Sequence, residues 1–120
     1  MRQQRLMTLA KKLSLKSNHH THIHGCVIAK GNRVLGTGFN TLKTHPASPH
    51  SWKSIHAEFM AVLSANFDVR GATVYVFRQQ KNGSPAMSRP CNSCWKYLKD
   101  QGVKNVVYTF EGDFKEERVK

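Results

Sequence analysis

Negative charge is scarce in this 120-residue chain, and its first 57 residues carry no acidic side chain. No Asp or Glu precedes Glu58, while residues 1–57 hold nine Lys/Arg and all seven histidines. Seven carboxylates against nineteen Lys+Arg leave a formal charge of +12. That balance argues against cationic partners and favours phosphate, on free nucleotides or on a polynucleotide. A solubilising excess of charge is the plainer reading of the same number. Long apolar runs are also missing, and nothing approaches the ~20 residues that cross a bilayer. The basic start Met1-Arg2-Gln3-Gln4-Arg5 is followed by no apolar signal-peptide core, so a cytoplasmic protein is expected. Cysteine is scarce and odd in number: Cys26, Cys91 and Cys94. A secreted disulfide framework is thereby excluded. In a reducing compartment, a close thiol pair points to metal or redox chemistry. No internal repeat, low-complexity tract or linker divides the chain, so one domain over residues 1–120 is expected.

What is present reads as alternating helices and strands. Leu6, Leu9, Ala10 and Leu13 recur at helical spacing and place a first helix over residues 3–15. Residues 14–22 are polar and connect. Two strand-like runs, Gly25–Ala29 and Arg33–Phe39, flank Lys30-Gly31-Asn32, a tight hairpin turn. Residues 40–53 carry Pro46 and Pro49 and read as a loop. Ile55 to Phe67 predicts a second helix, with Phe59, Met60, Leu63 and Phe67 inward. Ala72–Phe77 is a third strand, rich in β-branched and aromatic residues. A polar loop over residues 79–89 follows. Pro90 opens a third helix to Gln101, which Gly102 closes. Val103–Thr109 makes a fourth strand, and the acidic tail, residues 110–120, has no pattern and is expected to order over a ligand or neighbour. The order α-β-β-α-β-α-β predicts an α/β fold, a mixed sheet with helices packed on its faces.

The chemistry lies at two helix starts, His56-Ala57-Glu58 and Pro90-Cys91-Asn92-Ser93-Cys94. Thiols at i and i+3 share a helix face within reach of one ion, and His56 would complete three protein ligands. Three ligands leave a tetrahedral zinc one position for water, the arrangement of a catalytic site. Helix N-termini favour thiolate, which helps such a site form. Zinc lowers the pKa of bound water toward ~7, and a nearby carboxylate must then take and return the proton. Glu58 is the right type and lies two residues from His56. Two other readings of the thiols stay open: a redox pair, and a structural zinc with Cys26 or another histidine as fourth ligand. Cys26 itself reads as a small buried hydrophobe in a strand. His19-His20-Thr21-His22-Ile23-His24 reads as a polar connector that could touch ligand or metal. Trp95 reads as core, and Trp52, in the loop before His56, as a platform for a base.

His-Ala-Glu followed by Pro-Cys-x-x-Cys resembles the cytidine deaminase-like superfamily, over about residues 5–110. The resemblance implies a three-layer α-β-α fold, a mixed sheet with helices on both faces. It implies one Zn2+ per chain held by His56, Cys91 and Cys94, with Glu58 as the catalytic acid and base. It puts Asn40 against a substrate's sugar; Ala57, Trp52 and Arg89, beside the motifs, are further candidate substrate contacts. The implied activity is hydrolytic deamination of a cytosine nucleoside or nucleotide, most similar to the cytidine/deoxycytidylate branch. The alternative is an editing deaminase on single-stranded DNA or RNA. Arg70, Arg78, Lys81, Arg89, Lys96 and Lys99, in a stretch without one acidic residue, favour it. Met87-Ser88-Arg89-Pro90-Cys91 speaks against it, lacking the Ser-Trp-Ser-Pro-Cys of polynucleotide cytosine editors and the Glu-Pro-Cys of tRNA adenosine deaminases. A third reading is a basic nucleic-acid-binding protein that keeps the fold without chemistry. Self-association is expected from the resemblance alone. Arg89 before Pro90, Trp95 in place of a small residue, and the short chain depart from the branch pattern and bear on substrate rather than on zinc.

Overall fold

The computed structural model describes residues 2–16, 23–40, 57–66, 68–79, 85–110 and 113–119. Among them run α1 (Arg2–Ser14), β1 (Ile23–Lys30), β2 (Arg33–Phe39), α2 (Ala57–Ser64), β3 (Thr73–Gln79), β4 (Pro85–Ala86), α3 (Asn92–Asp100), β5 (Asn105–Phe110) and β6 (Asp113–Arg118). The strands form one sheet in the order β2-β1-β3-β5-β6, with β4 on β3. β1 is antiparallel to β2 and β3, β3 and β5 are parallel, and β6 returns antiparallel to β5. Lys30 pairs with Arg33 across the expected two-residue turn. Gly31 takes φ 62 there, a left-handed conformation that glycine adopts without steric penalty.

Period-two alternation sorts the side chains into layers. Val27, Ala29, Tyr75, Phe77 and Val107 pack against Leu6, Met7 and Ala10 of α1. The residues between them, Cys26, Ile28, Val74, Val76, Val106 and Tyr108, pack against Ala57, Ala61 and Val62 of α2 and Leu98 of α3. The result is α1 on one face and α2 with α3 on the other, the three-layer α/β fold the sequence implies.

Several element readings need correcting. The tail is not patternless: Asp113–Arg118 form β6, in register from Phe110↔Asp113 to Asn105↔Arg118. The loop read over residues 79–89 carries β4, where Gln79 pairs with Pro85 and Arg78 with Ala86. Pro90 stands before α3 rather than in its first turn, because Cys91 is the extended N-cap at φ −64, ψ 168. Gly102 does follow the helix, at φ 84. In α2 the deeply buried residues are Ala57, Glu58, Phe59, Ala61 and Val62, whereas Met60 and Leu63 are half-buried. Ile55 and Phe67 lie outside the described residues.

That shift of the buried face has a steric cause. Gly36 and Gly38 project toward α2, and the helix backbone fills the space where their side chains would be. A Cβ on Gly38 would lie 2.5 Å from the Ala57 carbonyl and 2.6 Å from the Ala61 nitrogen. Small residues on both elements thus let α2 settle directly on β2. Gly38→Ala is expected to lower stability by about 1–3 kcal/mol, as overpacking does. A thermal melt should fall by roughly 3–6 °C per kcal/mol for a domain of this size. An unchanged melting temperature would mean that α2 does not rest on this strand.

Candidate active site

Sheet register brings those expected site residues that are described to one end of the sheet. The end of β2 (Phe39) pairs with Gly25, and the start of β1 (Ile23) pairs with the end of β3 (Gln79). The chain leaves this end from β2 toward α2, and from β3 through β4 toward α3. In open α/β sheets the strand ends where helices begin form the ligand crevice. Asn40, one residue beyond β2, is buried there. Its side-chain Oδ1 accepts the His24 backbone N–H at 2.9 Å, and its own N–H donates to the His24 carbonyl at 3.4 Å. His24 is thus tied to Asn40 through its main chain, while His19, His20 and His22 lie outside the described residues.

Two helix starts then meet. Ala57 and Glu58 open α2, 1% and 4% exposed. The unpaired N–H groups of a first turn favour a carboxylate at this position. On α3, Cys91 is the N-cap and Cys94 the third helical residue, so both thiols sit at the helix mouth. Cys91 is exposed and Cys94 is buried. The Cys94 thiol is hydrogen-bonded with Cys91 and lies against Glu58. Its pKa is driven up by the bond with Cys91, by burial, and by the charge and hydrogen bond of Glu58. Behind the carboxylate, Cys26 of β1 is held protonated by complete burial and, secondarily, by the same Glu58 charge. The Phe59 and Tyr97 rings, with centroids 5.6 Å apart, pack α2 on α3 beside this point. Burial and the adjacent Cys94 push the Tyr97 phenol up to about 12.

A buried carboxylate and a pair of thiols that converge at two helix starts form a place that a cation would stabilise. Thiolate donors with an imidazole suit zinc. Among the described residues Cys91 and Cys94 are the sulfur donors, and no three of His, Cys, Asp and Glu complete a metal shell. His56, the remaining expected ligand, lies immediately before Ala57 and outside the described residues, as does Trp52.

Arg89 is found engaged in a way its sequence position did not suggest. Its guanidinium lies over the Trp95 ring and pairs with Glu117 of β6 at 3.0 Å. Tyr108 also donates its hydroxyl proton to Glu117. One residue earlier, Ser88 is buried in a network with β3 and β5. Its Oγ donates to the Val76 carbonyl at 2.7 Å and accepts the Thr109 N–H at 2.6 Å. The sequence assigns no site role to Ser88, Tyr108, Thr109 or Glu117. No motif marks them, because their roles come from pairing across the sheet.

Known proteins agree with this architecture. A family described as the cytidine and deoxycytidylate deaminase zinc-binding region matches residues 1–110, and the chain belongs to it. A deoxycytidylate deaminase of Pongo abelii is 23% identical, over 74% of this chain and 53% of its own. The chain therefore spans about half the length of that curated relative. A dCMP deaminase from the cyanophage S-TIM5 is 22% identical and shares the fold at a TM-score of 0.69, covering 88% of this chain and 80% of its own. A cytidine deaminase from Burkholderia pseudomallei, 21% identical, superposes at 0.71 over 99% and 94% of the two chains.

Exposure distinguishes the thiols experimentally. In metal-free native protein, a thiol reagent such as Ellman's should modify Cys91 rapidly and Cys94 and Cys26 slowly, all three reacting once guanidinium unfolds the chain. Prior addition of zinc should protect Cys91. Equal native rates for the three would contradict the burial of Cys94 and Cys26.

Proposed function

We propose that the protein is a zinc-dependent hydrolase that deaminates a cytosine nucleoside or nucleotide to the uracil product and ammonia. One observation carries the reading: a buried glutamate at the start of α2 lies against the thiol of a Cys-x-x-Cys pair at the start of α3. Family membership supports it, and the named substrates of the relatives above point to cytidine and deoxycytidylate. They favour free nucleosides and nucleotides over single-stranded DNA or RNA.

In this proposal His56, Cys91 and Cys94 hold one Zn2+, which when bound supplies a Lewis acid that makes water nucleophilic at neutral pH. Glu58 accepts a proton from the attacking water and delivers it to the ring nitrogen beside C4. It then carries the second proton to the exocyclic nitrogen, and the C4–N bond breaks to release ammonia. Burial suits Glu58 to this work, since few waters compete for its proton. Asn40 presents its side-chain NH2 to a sugar hydroxyl, its Oδ1 being fixed on the His24 N–H. Ala57 leaves room beside the base, and Trp52 stacks on it. The positive field of the chain draws a 5′-phosphate. A cytoplasmic location and assembly into a homo-oligomer belong to the same proposal.

Ammonia release, screened over cytidine, deoxycytidine, their monophosphates, adenosine, guanine and single-stranded oligonucleotides, tests the reading together with metal analysis. About one zinc per chain and turnover of a cytosine monomer are expected. Glu58→Ala should retain zinc and lose about 10²–10⁴ in kcat, the usual contribution of a general acid–base. Near-wild-type turnover by that variant would remove Glu58 from the role.

A further inference from the structure

We infer that Glu117 and Tyr108 are positioning residues for the Cys91–Cys94 pair, acting through Arg89. The inference rests on the metal role proposed for those thiols. Arg89 lies two residues before Cys91, and Trp95 directly follows Cys94, so the two thiols occupy the stretch between them. That stretch is closed on itself twice. The Arg89 guanidinium carbon sits 4.2 Å from the centre of the Trp95 ring. The Cys91 carbonyl accepts the Trp95 N–H at 2.8 Å.

Glu117 clamps this brace from β6. Arg89 Nε donates to Oε1 at 3.0 Å and Nη2 to Oε2 at 3.3 Å, a two-point contact that fixes the plane of the guanidinium. The Tyr108 hydroxyl donates to Oε1 and holds the carboxylate from the neighbouring strand. Upstream, the Ser88 N–H donates to the Thr109 carbonyl at 2.9 Å. The segment leading into Pro90 and Cys91 is therefore anchored to both β5 and β6.

Cys91 is the exposed N-cap of α3, so where its thiol sits follows from where this segment is held. Metal–ligand distances tolerate only about 0.2 Å, and partners outside the ligand set contribute about 10–100-fold to metal affinity. Arg89 and Glu117 are themselves about a third exposed, at 36% and 31%. An ion pair so placed adds little to overall stability. Its contribution lies in where it holds the loop, and this separates a positioning role from a merely structural one.

The test measures zinc affinity of the full-length protein by competition with a chromophoric chelator, alongside thermal melts of the metal-free forms. Glu117→Ala should weaken zinc binding about 10–100-fold with little change in melting. Tyr108→Phe, a milder substitution that keeps the ring, should shift affinity in the same direction. Glu117→Gln, which keeps an acceptor for Arg89 and Tyr108, should recover part of the loss. With zinc saturating, KM for cytidine or deoxycytidylate should match the wild type. Zinc affinity unaltered in both Glu117→Ala and Tyr108→Phe would overturn the inference, as would Arg89→Lys raising KM while leaving zinc affinity intact. A wild type that binds no zinc would instead overturn the proposed function itself, and this inference with it.

Discussion

The site depends on how deeply α2 sinks into the sheet. Gly36 and Gly38 lie two residues apart on one face of β2, and each is met by α2 backbone at less than an ordinary Cβ contact. A side chain at either position would lift the helix. Glu58 rides in the first turn of that helix, so its height above Cys26 and its distance from Cys94 are set by the same approach. Phe59 transmits the constraint sideways, since its packing on Tyr97 couples α2 to α3. A buried carboxylate on one helix and two thiols on another are thus brought into one relation by glycines on a strand that contributes no side chain to that meeting point.

This dependence explains what could be read from the residues in advance. His-Ala-Glu and Pro-Cys-x-x-Cys were legible because each is a local pattern, with donors at fixed spacing at a helix start. The hairpin at Gly31 and the strands β1, β2, β3 and β5 were legible because they are buried and β-branched or carry a turn signal. β6 was not. Asp-Phe-Lys-Glu-Glu-Arg has no alternating apolar face, and as an edge strand it needs none, its residues being mostly exposed. β4 is two residues long and begins with proline, beneath any periodicity. The buried side of α2 was misjudged because large apolar residues signal burial, while here alanines make the closest contact. Arg89 was read by its place beside the motif, and a partner 28 residues later in an unrecognised strand could not be inferred from spacing.

Scarcity of carboxylates gives the electrostatics a simple form. Among the described residues, Glu58 is the deeply buried acid, and Glu117 is drawn low by hydrogen bonds from Arg89 and Tyr108. Two of the chain's few carboxyl groups therefore lie around residues 89–94, one beside the thiols and one holding the segment that carries them. Arg89 is neutralised by its partner, so it adds little positive charge next to the Cys91 and Cys94 thiols.

The opposite balance holds farther out. Arg5, Lys11, Lys12, Lys16, Lys30, Arg33, Lys96, Lys99 and Lys104 are exposed and create a field that reaches over roughly a Debye length, ~8–10 Å in physiological salt. Such a field attracts a phosphate without fixing it, while the interior discriminates by contact. Under the proposed function, an uncharged cytosine ring would enter a site bounded by a carboxylate and thiols without the penalty an anion would meet. A substrate with a neutral base and an anionic sugar-phosphate matches both regions at once. That division, more than the total charge, is the physical ground for preferring a nucleotide over the bare base.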